Sequence, residues 1–268
     1  MKQLIKSFIP PVFIEIFVKI INLKYGWHGN YNSWNEAKND SKGYDSDEIL
    51  NKVKNSLLMV KNGQAVYERD SVLFNKIEYS WPVLSSLMMI AAKNDGNLNI
   101  IDFGGSLGST YFQNLKFLNE LKNVKWNIVE QENFVKTGRK YFEDKSLKFF
   151  TNINNSLNSS KSNVILLSSV IQYIEKPYEL LDTIMDYGFE WIIFDRTAFT
   201  IGNKPNRLTV QKVLPVIYKA SYPCWFFNKR NFMNKFRNKY DLIESFGSLD
   251  SANIDSVFKG FIFRKNDK

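Results

Sequence analysis

Cysteine and histidine are almost missing from this chain of 268 residues, with one of each. Cys224 alone cannot form an intramolecular disulfide, which fits a reducing cytoplasm. With His28 as the single imidazole, a zinc cluster of thiolates and imidazoles lacks ligands, and no metal is expected. Long uncharged apolar runs are also lacking. The N-terminal stretch MKQLIKSFIPPVFIEIFVKIINLKYG is interrupted by Glu15 and Lys19 and has no small-residue cleavage site, so neither an export signal nor a spanning helix fits. Pro10 and Pro11 suit the first turn of a helix running to residue 24. At about 1.5 Å per residue it is about 20 Å long, too short to cross a bilayer. Its apolar face of Ile14, Phe17, Val18 and Ile21, widened by Phe13, Ile16 and Ile20, needs a cover. The protein itself, a second copy in a homodimer, or lipid headgroups at the inner face of the cell membrane would serve.

The formal charge is +9, but 36 basic residues are scattered among 27 acids. The one dense basic cluster, FFNKRNFMNKFRNK at 226–239, sets Phe232 and Phe236 four apart, the pattern of a helix with a buried apolar face and a solvated basic one. A nucleic-acid partner is therefore not expected.

Three segments follow from the patterning: an amphipathic N-terminal helix over 1–25, a helical and loop cap over 26–95, and an α/β domain over 96–268. Within the cap, residues 26–48 read as an ordered loop, Ile49, Val53, Leu57 and Val60 as a helix, and residues 71–93 as further helix with Pro82 at a start or kink. From residue 99 short apolar runs alternate with helical stretches. Strands are expected over 99–103, 125–130, 147–150, 163–169 and 191–195, with helices over 109–122, 133–144 and 177–188. Such alternation implies a mostly parallel sheet covered by helices on both faces. The segments YDLIESF (240–246) and FKGFIFRK (258–265) add an antiparallel hairpin at one edge, and residues 152–163 read as a polar loop.

The stretch NIIDFGGSLGSTYF (99–112) ends a strand in an acid and three glycines. A dinucleotide fingerprint, G-x-G-x-x-G, would need glycine where Phe103 stands, and a P-loop would need a Lys that no glycine here precedes at the required place. The turn resembles the first motif of class I methyltransferases, D/E-x-G-x-G-x-G: Asp102, Gly104 and Gly108 match, Ser106 replaces the middle glycine, and Gly105 is extra. Glu130, at the end of the next strand and 22 residues beyond Gly108, stands where an acid accepts hydrogen bonds from ribose hydroxyls, with Gln131 beside it.

Together with GNYNSWNEA, GYD, VYERDSVLF, LLSSVIQYIEKPYELL, IIFDRTAF and YPCWFF, these motifs make the chain resemble a group of methyltransferases found in bacterial surface-polysaccharide (O-antigen and capsule) gene clusters. The resemblance covers most of the chain from residue 26. It implies a Rossmann-like class I methyltransferase fold, S-adenosyl-L-methionine as cofactor, and a sugar acceptor, free or linked to nucleotide or lipid. It implicates Asn152 and Ser168, and more firmly Ser169, Val170, Gln172 and Tyr173, in flanking the adenine and the methyl group.

Methyl transfer is an in-line displacement, so positioning supplies much of the rate, and a sugar hydroxyl profits from a base. The candidates are His28, beside Trp27 and Tyr31, and Asp195, at the end of strand WIIFD, with Tyr173 near the same edge. Tyr67, Arg69 and Asp70 are placed at a helix-to-loop junction over the sheet. There Arg69 either clamps a carboxylate of cofactor or acidic sugar, or pairs locally with Asp70. Trp27, Tyr31, Trp34, Trp81 and Trp225 are candidate stacking surfaces, of which about two are expected to line a site. Two rivals remain. An amino methyltransferase of nucleic acid would carry a D/N/S-P-P-aromatic motif where SSVIQY has no proline. An inactive scaffold or membrane-associated binding module has no need of a cofactor turn.

Overall fold

A computed structural model describes residues 23–42, 47–248 and 250–266. The helix expected over 10–24 lies almost wholly outside them. The elements in chain order are β1 (Gly26–His28), α1 (Trp34–Asn39), α2 (Asp47–Lys61), β2 (Tyr67–Arg69), β3 (Val72–Phe74), α3 (Trp81–Lys93), β4 (Asn97–Phe103), α4 (Ser109–Leu118), β5 (Asn123–Val129), α5 (Glu132–Tyr141), β6 (Leu147–Phe150), α6 (Ile153–Ser159), β7 (Val164–Ser168), α7 (Pro177–Tyr187), β8 (Trp191–Thr200), β9 (Arg207–Lys212), β10 (Ser221–Phe226), α8 (Lys229–Asn234), β11 (Tyr240–Gly247) and β12 (Ser256–Lys265).

Seven strands form the central sheet in the order β11-β12-β8-β7-β4-β5-β6. The five from β4 to β8 are parallel, and β12 runs antiparallel to both β8 and β11. This is the Rossmann-like, mostly parallel sheet with an antiparallel C-terminal hairpin that the sequence implies. Both faces are covered because strand residues alternate between two cores. Ile100, Leu166 and Ile193 pack with α2 and α3 through Ile49, Val53 and Leu87. Ile101, Leu167 and Ile192 face Leu181 and Ile184 of α7 and a Phe cluster from α8 and β12. Each such fully buried side chain stabilises the fold by about 1.5–3 kcal/mol. Local signals set the helix ends: Pro82 lies in the first turn of α3, Pro177 begins α7, and Gly188 closes α7 at φ 71°.

Three local expectations are corrected. Residues 71–75 do not extend a helix: β2 and β3 form a tight hairpin whose two turn residues, Asp70 and Ser71, both have positive φ, the backbone a two-residue hairpin loop requires. The junction expected at Tyr67, Arg69 and Asp70 is therefore this hairpin. The polar stretch 152–163 contains α6, started by Asn152, whose side chain accepts from the Asn155 N–H, a cap strong enough to nucleate a short polar helix. A second sheet, β1-β9-β10, was not anticipated; β9 pairs antiparallel with both neighbours. It joins residues 26–28 of the cap to residues 207–226 and roofs the carboxyl edge of the main sheet.

The basic cluster at 226–239 behaves as its spacing suggests. Phe232 and Phe236 are buried, while Lys235 and Lys239 pair with Asp182 and Asp186 of α7 at 2.6 and 2.8 Å. Among the described residues no helix is long and apolar enough to cross a membrane.

Candidate active site

The chain leaves β4 toward β5 and β6 on one side and returns to β7 and β8 on the other, so the strand order reverses between β4 and β7. In open parallel sheets such a reversal opens a crevice at the carboxyl ends of the strands. Here it is part of a cavity of about 1050 Å³, room for more than one small ligand.

Its floor is the glycine turn. Gly104 has φ 71°, donates its N–H to the Val129 carbonyl at 2.9 Å, and faces Val170 across the crevice. A Cβ on Gly104 would lie 2.3 Å from Val170 Cγ2. Gly105 is a glycine for a different reason: a Cβ there would stand 2.5 Å from the Asp102 carboxyl carbon. Ser106 takes a left-handed conformation, φ 55°. Gly108, φ 107°, forms the N-cap of α4 and packs toward Leu147 and Ile128 rather than lining the cavity.

A buried carboxyl group, Asp102, and a half-buried one, Glu130, flank the turn. Asp102 is 1% exposed and accepts from Trp126 Nε1 at 3.1 Å. Burial pushes its pKa up to about 7, against the pull of that hydrogen bond and with a further push from the Glu130 charge. Glu130 is also raised by burial, although its carboxylate accepts N–H groups of Gln131, at 2.7 Å, and of Ser106. It thus ties the end of β5 to the turn, and Gln131 lines the cavity beside it as it begins α5.

Beyond β7, Ser169 adopts φ 55° and donates its N–H to the Asp195 carbonyl at 2.9 Å. Ser168, Ser169 and Val170 line the cavity, as does Asn152. Gln172 does not; fully buried, it donates to the Arg196 carbonyl at 3.0 Å and ties the loop after β7 to the middle of β8. Tyr173 lines the cavity and donates to Gln211 Oε1 at 2.8 Å. Burial drives its pKa well above the ordinary value, so this phenol acts as a hydrogen-bond donor at neutral pH and not as a base.

Asp195 and Arg196 reach the cavity through a bulge. Phe194 pairs with Phe261 and Thr197 with Lys259, so two residues of β8 oppose Gly260 alone, and Arg196 takes φ 53°. Bulges re-aim side chains at sheet edges. Asp195 is 5% exposed and accepts from the Arg196 N–H at 2.9 Å and the Ser248 hydroxyl at 3.1 Å; burial raises its pKa. Arg196 Nε meets Asp250 at 2.5 Å, and its Nη2 meets Asp70 at 3.3 Å. Burial opposes that charge, but the two carboxylates more than restore it.

His28 stands elsewhere. It lines a separate shallow depression with Leu23, Arg207 and Asn253, and its Nε2 contacts the Tyr25 carbonyl at 3.0 Å. Tyr31 likewise lies outside the cavity lining, bonded to Asp40. Of the five aromatic candidates Trp27, Trp34 and Trp81 line the cavity, while Trp225 stacks behind Trp34 at 6.3 Å. Tyr67 and Arg69 also line it. Tyr218, Tyr222 and Gln211, on or beside β9 and β10, complete the roof and were missed. The alternation in RLTVQK was the available signal, and Pro223 in the next strand is tolerated because β10 is an edge strand.

Neither a family model nor a curated relative matches this chain. Its shape is similar to several solved structures at low identity. The N-terminal domain of EvdMO1, in the presence of SAH and D-fucose, has a TM-score of 0.49 and 10% identity over 82% of this chain and 100% of that one. An S-adenosylmethionine-dependent methyltransferase from Clostridium acetobutylicum gives 0.44 and 9%, over 70% and 92%. The magnesium protoporphyrin IX methyltransferase of Synechocystis with bound SAM gives 0.45 and 11%, over 84% and 87%. The likeness is one of fold.

Proposed function

We propose that this protein is a methyltransferase that uses S-adenosyl-L-methionine and transfers the methyl group to a sugar hydroxyl during surface-polysaccharide synthesis. The observation that carries the cofactor reading is the pair Asp102 and Glu130 around the glycine turn at the reversal of the sheet. Two carboxyl groups disfavour a pyrophosphate and suit hydroxyl and ammonium groups. The fit is physical at two further points. Val129, Ile153 and Val170 provide apolar walls for a flat base, and Glu130 presents the acceptor oxygens that a ribose diol needs. The sugar reading rests on the sequence resemblance and on Trp27, Trp34 and Trp81 in the lining, since aromatic faces suit the apolar faces of pyranose rings.

When bound, the cofactor supplies an electrophilic methyl group on a sulfonium. The chain's own part is to exclude water with the β1-β9-β10 roof, to orient the hydroxyl, and to take its proton. Asp195 is the base: it lies in the cavity, while His28 does not. With Glu130 holding the ribose, an acceptor hydroxyl attacking the methyl group that the cofactor would supply would give its proton to an Asp195 oxygen.

Calorimetry with S-adenosylhomocysteine tests the cofactor site. Micromolar binding that falls about tenfold or more in Glu130→Ala is expected, the loss of charge-assisted hydrogen bonds. Absence of binding at millimolar ligand would leave a methyltransferase-like scaffold instead. A gain of one methyl mass on a nucleotide sugar, absent in Asp195→Asn, tests the acceptor class.

A further inference from the structure

The cavity is lined by three cationic side chains, Lys38, Arg69 and Arg196. Arg196 is neutralised by Asp70 and Asp250, and Lys38 is exposed on α1. Arg69 is different. It is half-buried, and its guanidinium rests over the Phe74 ring, 5.8 Å from the centroid. Among the described residues it has no carboxylate partner. The adjacent Asp70, which could have paired with it, is turned to Arg196 instead.

The hairpin explains this aim. Side chains alternate along a strand, so Tyr67 and Arg69 share one face of β2 and Glu68 takes the other. Glu68 is buried and anchored: it accepts from the Ser109 hydroxyl at the first residue of α4 and from the Ser71 N–H at 3.1 Å. That anchor fixes the hairpin above the glycine turn and commits Arg69 to the cavity. A tight turn with two residues at positive φ leaves little freedom for it to swing away.

We infer that Arg69 is an oxyanion-binding residue, holding a carboxylate or phosphate of a ligand in the cavity. Its planar fork matches such groups through two parallel hydrogen bonds, and Phe74 pre-orients it. The inference rests on the proposed cofactor site for one of two sources. The anion is either the methionine carboxylate of the cofactor, which the position over the glycine turn favours, or an anionic group of the acceptor.

Calorimetry on the full chain separates them. If the source is the cofactor, Arg69→Gln weakens S-adenosylhomocysteine by about ten- to a hundredfold, leaves 5′-methylthioadenosine, which lacks the amino-acid end, unchanged, and Arg69→Lys falls between. If the source is the acceptor, S-adenosylhomocysteine is unaffected, and uridine diphosphate binds the wild-type protein but not Arg69→Gln. Equal binding of both probes by wild type and Arg69→Gln overturns the inference while leaving the cofactor site standing. Wild-type protein that binds uridine diphosphate through Arg69 but not S-adenosylhomocysteine sinks the methyltransferase reading and keeps this one. Binding of neither probe by wild type overturns both.

Discussion

Replacing Gly104 by alanine tests how the two halves of the sheet meet at the site. The new Cβ has two separable costs. An L-residue at φ 71° is strained by about 1–2 kcal/mol. The contact of 2.3 Å with Val170 Cγ2 and 2.9 Å with Val170 Cβ must be relieved by moving the loop after β7, an overpacking cost of about 1–3 kcal/mol. Together they predict a loss of about 2–5 kcal/mol in urea unfolding, or about 5–15 °C in Tm for a domain of this size. The double variant Gly104→Ala, Val170→Ala separates the two costs. It removes the nearer methyl group but leaves the Cβ at 2.9 Å and the backbone strain untouched. The double-mutant cycle should therefore show a favourable coupling of about 1–2 kcal/mol, with part of the loss remaining. Strict additivity would refute the claim that Val170 is what excludes a side chain here.

Two further outcomes follow from buried charge. Burial pushes the Glu68 carboxyl up from the ordinary 4.5 to about 7, with hydrogen bonds from Ser109 and Ser71 opposing and Asp70 adding to the rise. A carboxyl group raised in the folded state costs nothing below its unfolded pKa. The cost grows as pH rises through the window from 4.5 to about 7 and is complete above it. At about 1.4 kcal/mol per unit it is on the order of 3 kcal/mol. Glu68→Gln should flatten the decline in stability between pH 5 and pH 8, seen by chemical denaturation at each pH; parallel curves for both proteins would contradict the assignment. Arg196→Met strands the largely buried Asp250, while the exposed Asp70 stays solvated, and should destabilise by about 1–3 kcal/mol. Arg196→Lys should recover less than half of that, because Nε and Nη2 hold the two carboxylates separately and an ammonium cannot.

The parallel sheet was legible because its strands are buried on both faces and read as continuous apolar runs, NVILLSS and WIIFD among them. The roof was not. Strand β10 carries Pro223, and the remaining partner of β9, β1, lies about 180 residues away along the chain, as His28 against Val210 shows. The alternation in RLTVQK marks a strand, but no local pattern encodes its pairing with β1, so the place of Tyr218, Tyr222 and Gln211 over the site is not legible in the sequence. His28 attracted attention as the single imidazole, but rarity in composition carries no information on direction. Asp195 lines the cavity although β8 runs on to Thr200, because the parallel pairing with β7 stops at Ser168 and Asp195 and the bulge follows there.

The glycine turn shows where reading residue types reaches its end. Its composition suggests that the glycines supply the unusual backbone and that Ser106 is a substitution the motif tolerates. The structure divides these roles differently. Gly105 lies outside the left-handed region and is small because the Asp102 carboxyl covers it, whereas Ser106 takes the left-handed conformation itself. Ser169 and Arg196 do the same after β7 and within β8. Three non-glycine residues at positive φ thus stand around the crevice, Ser106 beyond β4, Ser169 just after β7 and Arg196 at the bulge inside β8. Each such conformation costs about 1–3 kcal/mol and persists only where surrounding bonds enforce it. Those bonds are present: the Ser106 N–H goes to Glu130, the Ser169 N–H to the Asp195 carbonyl, and the Arg196 N–H to Asp195 and Ser248. At Ser106 and Arg196 the strain therefore turns a backbone N–H toward the carboxylates of Glu130 and Asp195, and at Ser169 toward the Asp195 carbonyl, fixing the proposed ribose acceptor and the proposed base before any ligand arrives.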